Sequence, residues 1–346
     1  MYKIAKENLS ALFQKIAEKG ELYMPIKTAG QVNFDLYTPD ADVDLDTLKS
    51  VKSPKNVFFP QSENLYTCTT EGKKIEIEPE ALKEHDFVVF GMKGCDIRGI
   101  EVLDKVFLAE PIDTFYAARR NHGTIVAMAC GEPEESCFCN VFGIDCANPS
   151  GADVTVWNTN EYLYWESVTE KGNALTEAVG DLLEDADTNT VDEMKSQIHN
   201  IVSKLPYSDL SLDGWGAGMT EEKFNSDVWN DLYKPCLACG TCTFVCPTCQ
   251  CYDIKDYDTG HGVVRYRCWD SCMYSDFTMM AHGNNRNSQM QRFRQRFMHK
   301  LVYFPENNGG MFSCVGCGRC VDKCPSSLNI VKVIKAFAKQ EGKENV

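Results

Sequence analysis

Apolar residues in the first twenty positions recur at the spacing of a helix. Ile4, Leu9, Leu12, Phe13 and Ile16 fall on one side of MYKIAKENLSALFQKIAEKG, which predicts an amphipathic N-terminal helix. Further along, EHDFVVFGMKGCDIRGIEVLDKVF predicts a strand at Phe87 to Phe90, a glycine-bearing loop and a helix from about Ile97. GTIVAMACGEPEESCFC predicts a second strand, Thr124 to Ala129, ending in a loop. DVTVWNTNEYLYWESVT predicts a β-hairpin with a polar turn at Asn158 to Glu161. From about 170 to 205 the pattern is helical, with Ala174, Leu175, Val179, Leu182 and Leu183 as an apolar stripe interrupted by Asp-rich turns. The glycine-rich SDLSLDGWGAGMTEE reads as a linker, and RNSQMQRFRQRFMHKLVYF as a basic helix.

Composition changes this picture through cysteine. The chain has 18 cysteines, most of them in tight groups. Cys236, Cys239, Cys242 and Cys246, followed by Pro247, repeat the spacing of Cys314, Cys317, Cys320 and Cys324, followed by Pro325. Each is C-x2-C-x2-C-x3-C-P, the run that holds a [4Fe–4S] cluster in bacterial ferredoxins, where the fourth cysteine ligates the other cluster. That rule pairs Cys236, Cys239 and Cys242 with Cys324, and Cys314, Cys317 and Cys320 with Cys246. Paired C-x2-C units also bind zinc, but the x2-x2-x3-P rhythm fits zinc poorly.

The expected fold class is therefore α+β. An α/β domain at 1–165 precedes a helical segment and linker at 166–225. An α-helical two-[4Fe–4S] ferredoxin domain follows at 226–346, with a long insertion at 247–312 between its cluster motifs. A net charge of −15 argues against nucleic acid as a partner. No run of eighteen apolar residues predicts a membrane span, and the N-terminus lacks a signal peptide's apolar stretch. The expectation is a cytoplasmic protein whose cysteines are reduced and serve metal rather than disulfides.

Cys95 and Cys130 each follow a predicted strand, and Cys137 and Cys139 share the loop of Cys130. If the strands are parallel neighbours, the four cysteines converge at one sheet edge and predict a third iron–sulfur cluster, of [4Fe–4S] type. Asp96 and Arg98 flank that site as an oxygen ligand, a donor to cluster sulfur, or helix caps. Cys68 and Cys146 look solitary. GMKGCDIRG does not match G-x-G-x-x-G, so a dinucleotide site is not expected.

Cys249, Cys251, Cys268 and Cys272 in the insertion form a possible fourth metal site, holding a cluster or zinc; alternatively these thiols pack around the first two clusters and tune them. Sirohaem-type cysteine spacing is not met. Arg286, Arg292, Arg294, Arg296, His299 and Lys300 are either a solvated face, a docking surface, or an offset to anionic clusters.

GMKGCDIRGIEVLDKVF, the ARR at 118–120, MACGEPEESCFCNVFG, CLACGTCTFVCPTCQCYD, YRCWDSCM, FRQRFMHKLVYF and CVGCGRCVDKCP together resemble one family. It is the iron–sulfur chain shared by the anaerobic sulfite reductases and by the cytoplasmic sulfhydrogenases or hydrogenases, where it is the β-subunit. The resemblance implies an electron-transfer role with no catalytic residues of its own. It implies as partners a flavin- and [2Fe–2S]-containing subunit that oxidises NAD(P)H, and a catalytic hydrogenase or sulfite/sulfur reductase subunit. It also implies a non-cysteine at position 268, where this chain has Cys268. The competing function is a reductase with its own substrate site at an open cluster in the 249–272 segment, near Asp253, His261 and Asp270.

Overall fold

The computed structural model describes residues 1–340 and 342 of the 346-residue chain. Its main strands are β1 (Tyr2–Ala5), β2 (Glu21–Thr28), β3 (Gln31–Leu36), β4 (Ser62–Glu71), β5 (Lys74–Pro79) and β6 (Phe87–Met92). They continue with β7 (Gly123–Met128), β8 (Val154–Asn158), β9 (Tyr162–Ser167), β10 (Glu184–Asp185), β11 (Tyr252–Asp258) and β12 (Gly262–Trp269). One mixed sheet runs in the order β10-β1-β9-β8-β7-β6-β2-β3. Its centre, β2, β6, β7 and β8, is parallel. Parallel strands covered on both faces read as continuous apolar runs, and every residue of β6 is buried.

Helices Leu9–Ala17 and Glu170–Ala178 cover one face, where Leu12, Phe13, Ile16 and Leu175 pack with Phe90, Val126 and Trp165. Helices Gly94–Phe107 and Thr114–His122 cover the other, where Ile97, Ile100, Leu103 and Tyr116 meet Val89, Ile125 and Ala127. A separate helical core joins Trp215, Trp229, Phe293, Phe297, Ile334 and Phe337. It is built on helices Gln289–Met298, opened by a Ser288/Gln291 capping box, and Ile330–Gln340.

The parallel pairing of β6 with β7 matches the expected juxtaposition of their loops, and β8 and β9 form the expected hairpin. The N-terminus differs. Tyr2–Ala5 is a strand paired with β9, Ile4 opposite Leu163, and the helix begins only at Leu9. Ile4 is still buried in the same core, but through a sheet whose ladder satisfies the backbone of these residues. Leu182 and Leu183 also leave the predicted stripe, because the helix stops at Ala178 and Gly180–Leu182 is a 3-10 turn.

A second sheet, in the order β11-β12-β4-β5, combines segments far apart in sequence. The β11–β12 hairpin comes from the insertion, and β12 pairs antiparallel with β4, placing Val263 opposite Cys68 and Cys268 opposite Ser62. The insertion is thus hydrogen-bonded to the N-terminal part of the chain.

Two glycines mark where these parts meet. A side chain at Gly99 would come within 2.7 Å of Pro247 Cβ, so the helix after β6 lies directly on the first ferredoxin motif. Gly316 has φ +58°, and a Cβ there would stand 2.3 Å from Phe138 O; Phe138 N donates to Gly316 O at 2.9 Å. Gly316→Ala is expected to destabilise the protein by roughly 2–5 kcal/mol, from left-handed strain plus overpacking. An unchanged thermal midpoint under anaerobic conditions would show that this approach has slack.

Candidate iron–sulfur sites

The two ferredoxin motifs fold alike. Ala238 and Gly240 take φ +54° and +73°, and Gly316 and Gly318 take +58° and +78° at the matching positions. These left-handed residues wrap each loop before a short helix, Thr241–Phe244 or Arg319–Asp322. In the first site, Cys236, Cys239, Cys242 and Cys324 line one cavity with Met273, Phe293, Arg296 and Phe297. This is the crossed set that the ferredoxin rule predicts. Backbone N–H groups donate to two of its sulfurs, Ala238 N to Cys236 Sγ at 3.4 Å and Leu328 N to Cys324 Sγ at 3.2 Å. Cys239 is exposed, and its hydrogen bonding with the Thr241 side chain and backbone holds its thiol below the ordinary value.

In the second site, Cys314, Cys317 and Cys320 all sense the charge of Cys246. Burial pushes the Cys314 and Cys317 thiols up to about 12. Cys246 is moved the other way, first by a hydrogen bond from Cys249 and then by Lys300, against the effect of burial. Thiols held up by burial give up their protons when a metal takes the thiolate.

The third cavity is lined by Cys95, Cys130, Cys137 and Cys139, which the two facing loops bring together as expected. It is also lined by Cys146 and Cys317. Cys146 is therefore not solitary: its hydrogen bond with Cys130 pulls its thiol down, while that with Cys139 and burial push it up to about 12. Its signal in the sequence was its position, seven residues after Cys139 and just before β8. Lys93, 7% exposed, lines this cavity and also a neighbouring cleft of about 870 Å³. Burial lowers its pKa, and Cys130 and Cys95 act in the opposite direction.

The flanking residues take definite roles. Asp96 is not aimed at a metal: it forms a two-pronged pair with Arg319, at 2.8 and 2.9 Å, and accepts from Ser53 Oγ at 3.0 Å. Arg98 pairs with Glu101 instead of a cysteine. In the basic helix, Arg294 stacks on Phe224, but Arg296 and Lys300 are buried among cysteines. Arg296 Nη2 donates to Cys242 O at 3.2 Å and its guanidinium hydrogen-bonds to Cys320, while its buried Nε has no partner among the described residues. Burial works against the charge of Lys300, yet Cys246 and Cys249 hold it protonated; its Nζ donates to Thr248 Oγ1 at 2.6 Å and Ser313 O at 3.1 Å. Buried cations without carboxylate partners need another source of negative charge. Thiolate-held clusters supply it, and an orphaned guanidinium N–H wants a sulfur or sulfide acceptor. The residues present thus fit [4Fe–4S] groups. Among the described residues, no three His, Cys, Asp or Glu side chains are set to hold a single metal ion.

The insertion cysteines divide. Cys249 contacts Cys246, and Cys251 contacts Cys272. Cys268 points elsewhere: it stands opposite Asp253 on the outer face of the hairpin, with Lys255 and Asp270 nearby, whereas its neighbours Arg267 and Trp269 are buried. The period-2 alternation of a strand separates Cys268 from the other three. Lys55, unremarked in the sequence, is fully buried here; its Nζ donates to Cys249 O at 2.7 Å and lies over the Trp269 ring.

The three sulfur-lined sites stand in a row. Cys320 of the second acts electrostatically on Cys242 of the first, and Cys317 of the second lines the third cavity and acts on Cys95 there. No helix among the described residues is long and apolar enough to cross a membrane.

Comparison with known proteins agrees with this chemistry. Residues 235–328 match the family model described as a 4Fe-4S dicluster domain. No solved structure matches. The chain is 31% identical over 334 residues to sulfhydrogenase 2 subunit beta of Pyrococcus furiosus, covering 96% of each chain. With that identity along nearly its whole length and the doubled cluster motif in place, the chain belongs to the iron–sulfur β-subunit family of the sulfhydrogenases, with an electron-transfer role.

Proposed function

We propose that this chain relays electrons through three [4Fe–4S] clusters. On one side stands a flavin-bearing subunit that oxidises NAD(P)H, on the other a catalytic hydrogenase or sulfite/sulfur reductase subunit. The observation that carries the reading is the row of three cysteine sets, joined through Cys242 with Cys320 and through Cys317 with Cys95. The bound groups supply reversible one-electron transfer. The chain's own part is to hold them, exclude water and set their potentials. Arg296 and Lys300 favour the more negative, reduced state of the first two sites. Lys93 does the same at the third.

The ends of the row differ in access. Cys239 is exposed beside Leu237, which is 68% exposed, and Tyr274, whose hydroxyl donates to Cys239 O at 3.1 Å. The third site lies beside the cleft edged by Asp46, Glu132, Glu134 and Glu135. These two places are the ports for partner subunits.

A reductive titration followed by electron paramagnetic resonance tests the row. Three reducible centres with spin coupling between neighbours are expected, and only two uncoupled centres would overturn it. Leu237→Glu should slow electron exchange with one partner at least tenfold while leaving the spectra unchanged; equal rates with every partner would remove the Cys239 end as a port.

A further inference from the structure

Filling each four-cysteine set leaves four thiols in the 249–272 segment, of which Cys268 is turned to the outer face of the hairpin. Cys249 is accounted for by its hydrogen bond to Cys246. Cys251 and Cys272 are hydrogen-bonded to each other, and the backbone N–H of Cys272 also donates to the Cys251 sulfur. Asp270 N donates to Cys251 O at 2.9 Å, which ties the end of β12 to the segment bearing Cys251.

Their position is specific. Cys272 lies close enough to Cys242, in the first site, to act on it electrostatically. Cys251 lies beside Cys249, which touches Cys246 of the second site. One sulfur of the pair thus neighbours the first site, and the other reaches the second through Cys249. The hydrogen bond between the two pushes the Cys272 thiol up and draws the Cys251 thiol down; burial raises both, and Arg296 and Lys300 at Cys272 and Lys300 at Cys251 act against that. Thiolates on two corners of one cubane are kept apart by the cluster body, so two sulfurs in contact are not a pair of ligands to the same cubane. A hydrogen-bonded pair of thiols is the arrangement from which a sulfur–sulfur bond forms.

We propose that Cys251 and Cys272 form a dithiol–disulfide couple that exchanges two electrons with the clusters on either side, one with each. This rests on the reading of the first two sites as [4Fe–4S] centres. On oxidation, both S–H bonds break, one S–S bond forms, two protons pass to water, and each adjoining cluster gains one electron. Reduction runs in reverse. The pair would turn two one-electron sites into a store for both electrons of a two-electron donor.

The test uses the full chain, purified without oxygen and poised with mediators at a series of potentials. Samples are quenched in acid, denatured, alkylated and mapped by peptide mass, with iron measured in parallel. The expected result is Cys251 and Cys272 alkylated at low potential and disulfide-linked at high potential, a change of two reactive thiols per chain. Cys272→Ser should abolish that change without altering iron content. Full alkylation of both residues at every potential, with both ferredoxin-type clusters present by iron count, would overturn the proposal. Loss of a whole cluster's iron in Cys272→Ser would also overturn it, by making Cys272 a metal ligand. Iron too low for two cubanes would instead refute the cluster reading on which the proposal rests.

Discussion

Protein purified without oxygen should contain about 12 iron atoms and about 12 acid-labile sulfides per chain, four of each for three cubanes. Cys139→Ser should remove about four of each and leave the ferredoxin-type pair intact. The choice of residue matters, because five cysteines of the N-terminal segment surround the third cavity where a cubane needs four. Cys146 touches both Cys130 and Cys139 and donates to Cys139, a position suited to a thiol that hydrogen-bonds a ligand sulfur rather than to a ligand. Cys146→Ala should therefore keep the iron and lower the midpoint potential of one centre, since hydrogen bonds to sulfur raise it. If Cys146→Ala loses as much iron as Cys139→Ser and Cys137→Ala loses none, then Cys146 is the ligand and Cys137 the bystander. About 8 iron atoms in the unaltered protein would reduce all five to structural thiols.

The second large effect is expected at the Asp96–Arg319 pair. Both side chains are almost wholly inaccessible, at 1% and 3% exposure. The guanidinium also donates to Ser50 O at 3.0 Å and Ser50 Oγ at 3.2 Å, and so binds the segment before β4 to the second cluster motif. Arg319→Met strands a carboxylate in the interior beside Cys95 and Cys317, which both sense its charge. Leaving one member of a buried pair uncompensated costs about 3–5 kcal/mol. The potentials of the second and third centres should fall together, because a negative charge near both opposes their reduction. Replacing both residues, Asp96→Leu with Arg319→Met, should recover most of the stability, since a buried pair often exchanges for apolar residues at little cost. Thermal unfolding and potentiometric titration of the single and double variants would check this. A single mutant as stable as the double would show that water reaches the carboxylate.

How much of this was legible in the sequence depended on how local the determining contacts are. The two C-x2-C-x2-C-x3-C-P runs carry their own loop geometry, because the left-handed positions and ligand spacing lie within a dozen residues. The doubly covered strands β6 and β7 were legible for a related reason: burial on both faces imposes an unbroken apolar run. The crossed placement of Cys324 beside the first motif and of Cys246 beside the second could be inferred because the paired motif implies it. The N-terminal strand was misread as helix because Ile4 meets either pattern, and only pairing with Leu163 of β9 decides between them.

Tertiary structure alone decided the rest. It separated Cys268 from Cys249, Cys251 and Cys272, because the hairpin's pairing with Ser62–Glu71 sets which face that cysteine occupies. It also turned Arg296 and Lys300 inward, although their helix is as basic in sequence as any solvated one. Residues within a motif answer to spacing along the chain. The choice of the sulfur, cation or carboxylate that faces them is made by segments hundreds of residues away, such as Lys55 against Cys249 or Asp96 against Arg319. Hydrophobic packing of the two sheets and the helical core enforces those contacts, and no local pattern records them.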